Sequence, residues 1–278
     1  MLRERVITAV VLLALLLPAL FARSPWPFAL LSLLLIAAGG WEWGRLNGAG
    51  MGSSLLMGAM LGAAGLLAHL SGWTEQAPAA AWWLATAVWV VGGAIALRAG
   101  PPAWPQLPRS ARWLLGLVAL WAAWLALGHA RSIGINFILS VFCLVWMADI
   151  AAYFGGRALG RRKLAPSISP GKSWEGVWCG IAAVLLLGVG WAAADGRIAV
   201  DSPSVFTSLA RALGVVGAAL AVVVLVGMGV VGDLVESLVK RAAGAKDSSR
   251  LLPGHGGVLD RVDALLPVFP IALAFTWL

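Results

Sequence analysis

The sequence predicts an all-α polytopic membrane protein of about nine transmembrane helices, with a cytoplasmic N-terminus and a C-terminus on the outer side. Three observations predict it. Hydrophobic residues make up 61% of the 278 positions and charged residues only 12%, with a mean hydropathy of +0.91, a balance that water-soluble domains do not carry. The apolar residues form continuous runs of about 20, long enough to cross ~30 Å of hydrocarbon as helix. Lipid requires the backbone to close its hydrogen bonds in helices or a closed barrel, and runs without alternation exclude barrel strands. The third observation is the one-sided distribution of Lys and Arg along the chain.

Taken in order, the runs place spans at about 6–22, 28–43, 51–72, 81–98, 113–129, 133–154, 176–194, 212–232 and 262–278. The opening "MLRERVITAVVLLALLLPALFARS" has the charged start and apolar stretch of a secretory signal, but the spans that follow make it an uncleaved first helix. With the N-terminus inside, sixteen of the 20 Lys and Arg residues face the cytoplasm and four, Arg23, Arg131, Arg197 and Arg211, face outward. Tryptophans near span ends, such as Trp41, Trp43, Trp73, Trp82 and Trp83, are expected at headgroup level. The Pro-rich stretch "GPPAWPQLPRSAR" (100–112) reads as a cytoplasmic linker. It divides an N-terminal membrane segment (1–112, about four spans) from a C-terminal catalytic membrane domain (113–278, about five spans) with polar motifs at 149–175 and 233–263. Cys143 and Cys179 lie in apolar runs and read as packing residues. The net charge of +8 follows from topology and attraction to anionic headgroups, and no nucleic-acid motif accompanies it.

Seven of the twelve acidic residues fall in two stretches of the second half: Asp149 and Glu175, then Asp233, Glu236, Asp247, Asp260 and Asp263. Ionisable groups at a membrane are costly, so their concentration on one side points to a site. Asp149 and Tyr153 are four apart and share a helix face at the end of the sixth span. Gly156 and Gly160 suit either close helix packing or backbone approach to a ligand. The run "SPGKS" lacks the upstream glycine of a phosphate-binding P-loop, because Pro166 stands there, and no βα unit is evident. Ser169, Lys172, Ser173 and Glu175 remain as an anion-contacting loop.

Asp233, Glu236, Ser237 and Lys240 occupy i, i+3, i+4 and i+7, one polar stripe on a helix. A surface Glu236–Lys240 pair accounts for part of it but leaves Asp233 unexplained. The stretch "LPGHGGVLDRVDALLP" (252–267) has two readings. In one, Pro253 and Gly254 turn the chain, Asp260 caps the last helix and Asp263 sits at its dipole. In the other, the amides of Gly256 and Gly257 cradle phosphate, His255 and Arg261 donate to it, and Asp233 and Asp260 hold Mg²⁺, which takes one or two carboxylates plus substrate phosphates. Many cations and a few carboxylates, with no nucleophile–base pair, indicate phosphoryl or nucleotidyl transfer by positioning and electrostatics.

The run "SLVKRAAGAKDSSRLLPGHGGVLDRVD" (237–263) resembles the signature of the phosphatidate cytidylyltransferase (CDP-diacylglycerol synthase) family, S-x-x-K-R-x4-K-D followed by H-G-G-x-x-D-R-x-D. Ser237, Lys240, Arg241, Lys246, Asp247, His255, Gly256, Gly257, Asp260, Arg261 and Asp263 fall on it. Asp149, Tyr153, Gly156, Gly160, Lys163, Ser169, Pro170, Lys172, Ser173 and Glu175 resemble its upstream elements. The resemblance implies transfer of a cytidylyl group from CTP to phosphatidate, with Mg²⁺ and K⁺ as the cations to consider. It implies a homodimer in the bacterial cytoplasmic (inner) membrane with the site facing the cytoplasm. It makes Asp233 and Asp260 the metal ligands, with Asp263 and Asp247 behind them. Lys240, Arg241, Lys246, Arg261 and His255 would hold phosphates, while Lys172, Ser173 and the Asp149–Tyr153 face line the cavity. Two other readings stay open: a CTP-dependent enzyme with another lipid acceptor, including a lipid kinase, and an ion or solute transporter, against which the acids lie at span ends.

Overall fold

The computed structural model describes residues 2–278, and side chains from residue 6 onward, so the expected inward-facing Arg3 and Arg5 lie outside the described side chains. Helices account for nearly the whole fold. They are α1 (Leu2–Phe21), α2 (Trp26–Leu46), α3 (Met51–Leu70), the single turn α4 (Trp73–Gln76), α5 (Ala79–Ala87) and α6 (Gly93–Ala99), the last two joined through a π-helical turn at Val88–Gly92. A 3₁₀ segment, Pro101–Gln106, leads to α7 (Arg109–Ile133) and α8 (Ile135–Leu159). A hairpin of β1 (Lys163–Ala165) and β2 (Ser169–Ser173) precedes α9 (Trp174–Asp195), α10 (Val205–Ala242), α11 (Leu259–Val262) and α12 (Leu265–Thr276).

Among the described residues seven segments are long and apolar enough to cross a membrane: α2, α3, the α5–α6 unit, α7, α8, α9 and α10. They match the seven inner spans read from the sequence. The expected first span falls on α1, whose described apolar part is Val6–Phe21, and the expected last on α12. At 1.5 Å per residue α12 is about 18 Å long, short of the hydrocarbon thickness. It is enclosed rather than lipid-facing: Val268, Ile271, Ala272, Leu273 and Ala274 are at 0% exposure. It packs on α10, α7 and α5, so the packing crosses the boundary expected at residue 112.

Helix α10 breaks at Gly214 (φ 70°, ψ 174°), where a residue with a Cβ would be strained. The straight part, 215–242, is about 42 Å long, so its last turns stand beyond about 30 Å of hydrocarbon. This is why a helix can begin in lipid and end in the polar stripe of Asp233 to Lys240. Helices α8 and α9 approach to backbone contact: a Cβ on Gly176 would lie 2.7 Å from the Ala152 carbonyl oxygen, and one on Gly180 3.0 Å from that of Ala148.

Three contacts add to those expectations. The Pro-rich linker stretch is tied down: Trp104 is buried and its indole N–H donates to Asn47 Oδ1 at 2.8 Å, pinning the segment to the end of α2. Trp43 and Trp82, expected at headgroup level, are buried against the protein, at 8% and 1% exposure. Trp43 fits because Gly116 leaves room for its ring, and its N–H is satisfied by the Arg112 carbonyl at 2.9 Å. The 163–173 loop forms an antiparallel hairpin, Lys163 opposite Ser173 and Ala165 opposite Ser169. Glu175 closes its base by accepting the amides of Arg161 (3.0 Å) and Arg162 (3.1 Å) and the Arg162 Nε–H (3.2 Å).

Candidate active site

A cavity of about 450 Å³ opens between α8, β2, α9 and α10. Its polar lining is Asp149, Tyr153, Lys172, Ser173 and Asp233, and its apolar lining includes Leu144, Val145, Leu225 and Val226. The hairpin makes this possible by delivering Lys172 over the cavity, where its ammonium pairs with Asp233 Oδ2 at 2.5 Å. The Ser237 hydroxyl, one turn along α10, donates to the other oxygen of Asp233 at 3.2 Å. Ser173 has a local duty: it is the N-cap of α9, accepting the Gly176 amide at 3.2 Å.

A polar seam runs on from Asp233 between α10 and α11. Gly232 lets the two elements touch, since a Cβ there would lie 2.4 Å from the Asp263 carbonyl oxygen. The Asp263 carboxyl is half-buried there, near that of Asp233. Further along, Lys240 Nζ lies 2.5 Å from Glu236 Oε2 and 2.6 Å from Asp260 Oδ1. The side chains of Lys240, Glu236 and Asp260 are 11%, 4% and 5% exposed, so this is an interior triad and not the surface pair expected from the sequence. Asp260 Oδ2 accepts three more bonds, from the Ser248 amide (2.9 Å), the Ser248 hydroxyl (2.9 Å) and the Gly257 amide (2.7 Å). Burial opposes ionisation of Asp260, but Lys240 and these amides outweigh it and hold the carboxyl below its ordinary range.

The structure therefore groups Asp149, Tyr153, Lys172, Ser173, Asp233 and Ser237 around the cavity, and Lys240, Asp260 and Asp263 along the seam. Other expected residues stand elsewhere. Arg241 Nε–H donates to the Ile168 carbonyl (3.3 Å) and its Nη1 to that of Ala245 (3.2 Å), tying the hairpin tip and the following loop to α10. Lys246 and Asp247 are exposed on that loop. His255 and Arg261 line a second cavity of about 380 Å³, with apolar walls from α1, α2, α7, α8 and α12. The Gly257 amide is committed to Asp260 instead of a phosphate cradle. Gly256 (φ 82°) also serves Asp260, because a Cβ there would lie 2.6 Å from its Oδ2. Asp260 does not cap α11: it lies inside that turn, and the amides of Val258 and Leu259 go to Glu42 of α2, at 2.9 and 2.8 Å.

Glu42 is the residue the motif reading passed over. The signal was present as a lone carboxylate in an apolar run, "AAGGWEWGRL", within a span. For Mg²⁺, no three His, Cys, Asp or Glu side chains converge as a ready cluster among the described residues. The donor chemistry nonetheless fits an ion that brings its own phosphates. Asp233 and Asp260 each have one oxygen held by hydroxyl or amide donors and present the other to a lysine ammonium, the place a cation takes.

The chain matches the model of the "Cytidylyltransferase family" over residues 3–278. It is similar to a phosphatidate cytidylyltransferase of Pseudomonas aeruginosa, 39% identical over 284 residues, covering 100% of this chain and 97% of the relative. A protein of the same description from Haemophilus influenzae is 34% identical over 304 residues, covering 97% and 96%. One from Brucella suis is 45% identical over 142 residues, covering 51% and 47%. A family match across the described chain, with relatives aligned end to end, makes the protein a nucleotidyltransferase and a member of the cytidylyltransferase family.

Proposed function

We propose that the protein transfers the cytidylyl group of CTP to phosphatidate, forming CDP-diacylglycerol and pyrophosphate in a Mg²⁺-dependent reaction. The carrying observation is one cavity lined both by charged groups, Asp149, Lys172 and Asp233, and by apolar side chains, which suits two phosphate-bearing substrates of which one is a lipid. The names of the full-length relatives support the substrate pair. A phosphate oxygen of the lipid attacks the α-phosphorus of CTP, the α–β phosphoanhydride bond breaks, and pyrophosphate leaves. A phosphate monoester is already largely ionised near neutral pH, with a second pKa of about 6, so no base is needed to activate it.

Bound Mg²⁺ would stabilise charge on the transferring and leaving phosphates. Asp233 and Asp260 would hold it, each giving up its lysine-facing oxygen, and K⁺ is a second cation to test. Lys172, released from Asp233, contacts a phosphate; Ser237 orients Asp233; Lys240 orients Asp260 between Glu236 and the loop. The Asp149–Tyr153 face lines the cavity. Lys172, at the cavity, lessens the repulsion between two anionic substrates. The protein works as a homodimer in the bacterial inner membrane, crossing it several times, with the N-terminus and the site on the cytoplasmic side, where sixteen of 20 basic residues fall.

The test is purified protein with labelled CTP, phosphatidate and Mg²⁺, following pyrophosphate and CDP-lipid together. Lipid phosphate with CDP as the product would instead mark a CTP-dependent lipid kinase. Turnover only with another lipid phosphate would correct the acceptor.

A further inference from the structure

Glu42 sits on α2, in the half of the chain that carries none of the signature, yet its carboxylate is at 0% exposure and is held by four groups of one loop, one of them shared with Asp260. Oε1 receives the Ser249 hydroxyl (2.6 Å) and the Val258 amide (2.9 Å). Oε2 receives the Leu259 amide (2.8 Å) and lies 3.2 Å from the Ser248 hydroxyl, whose one proton it shares with the nearer Asp260 oxygen. All four partners are neutral donors, and a buried carboxylate is tolerable only when such donors replace its water. Ser248 is the shared element: its hydroxyl contacts both Glu42 and Asp260, placing the two carboxylates on either side of one side chain.

The surroundings are built around this carboxylate. A Cβ on Gly257 would lie 2.4 Å from Glu42 Oε1 and 2.1 Å from the Ser248 hydroxyl oxygen, so glycine is required where the loop passes Glu42. One turn earlier on α2, a Cβ on Gly39 would meet Leu259 at 3.3 Å, so the same face of α2 seats the start of α11. Fixing both ends of the loop, 248–249 and 258–259, fixes what lies between and just beyond, including Asp260. Rigid support of this kind keeps a ligand-bearing carboxylate in its productive position.

We infer that Glu42 is a positioning residue for cytidylyl transfer, holding the 248–259 loop so that Asp260 and Lys240 keep their places. This rests on the function proposed above, and the test separates the two. Full-length Glu42→Gln, Glu42→Asp and Ser249→Ala proteins are purified beside wild type. Amide hydrogen exchange over 248–259 is measured together with kcat, KM for CTP and the Mg²⁺ concentration giving half-maximal rate. For Glu42→Gln, loop exchange should rise at least about 10-fold, kcat should fall about 10- to 100-fold with KM for CTP little changed, and half-saturation by Mg²⁺ should move upward. Glu42→Asp should recover part of each loss. Ser249→Ala, lacking one of the four contacts, should show a smaller change of the same kind, and these two variants carry the test if Glu42→Gln does not fold. Unchanged loop exchange, or folded variants with wild-type kcat and Mg²⁺ dependence, would overturn the inference. Should wild type make no CDP-lipid, the proposed reaction fails, while hydrogen exchange still decides whether Glu42 holds the loop.

Discussion

Replacing Lys240 with Met removes one charge and keeps most of the side chain's length, so it isolates what the ammonium contributes. That ammonium lies 2.5 Å from Glu236 and 2.6 Å from Asp260, with the three side chains 11%, 4% and 5% exposed. Exposed ion pairs contribute about 0–1 kcal/mol, but removing one partner of a buried pair costs about 3–5 kcal/mol when a charge is left without compensation. The two carboxylates do not suffer equally. Asp260 retains three N–H and O–H donors, whereas neither oxygen of Glu236 has a hydrogen-bond partner apart from its ion pair with Lys240. Glu236, left without its cation in a buried place, takes up a proton and becomes an unpaired polar group, so Lys240→Met is expected to destabilise by about 1–3 kcal/mol, mostly through Glu236. Adding Glu236→Met should return much of that loss, since the stranded carboxyl group is gone. Denaturant unfolding in detergent micelles, followed by circular dichroism, gives both values. A loss below about 1 kcal/mol for the single variant, or a double variant no more stable than the single, would refute the interior triad as the source of stability.

Other substitutions probe the rest of the site. Lys172→Met breaks a pair whose side chains are 26% and 30% exposed, so unfolding should shift by less than about 1 kcal/mol while CDP-lipid formation falls about 100-fold. Asp260→Asn should abolish Mg²⁺-dependent turnover in a protein that still inserts and folds; near wild-type rates would take Asp260 out of the metal role. Gly176→Val places carbon 2.7 Å from the Ala152 carbonyl oxygen, and thermal unfolding should show a loss of about 1–3 kcal/mol.

Much of the site was legible in the sequence because its parts lie in two short runs, 149–175 and 233–263, whose charges are out of place in so apolar a chain. The seven inner spans were legible for the same reason in reverse: long apolar runs with polar ends. What escaped depends on contacts between distant segments. Lys172 and Asp233 meet only because Glu175 and the Arg161 and Arg162 amides fold the intervening loop into a hairpin, and so short a pair of strands leaves no periodicity to read. Asp260 looked like a helix cap because it stands at a helix start, but the cap comes from Glu42, far away in sequence. The glycines of "HGG" suggested a phosphate cradle, and in the structure they make room for carboxylates.

The glycine-lined contact between α8 and α9 sets how the first cavity can move. Side chains yield by changing rotamer, but here backbone meets backbone, at Gly176 against Ala152 and Gly180 against Ala148, and nothing on that side can swing aside. Those two helices act as a fixed jamb. Along α10 the lining is mostly side chains, Leu225, Val226, Val230 and Asp233, with Gly229 among them. Widening for a two-tailed lipid and closing behind it therefore falls to the α10 side, the flank of the cavity that also carries Asp233.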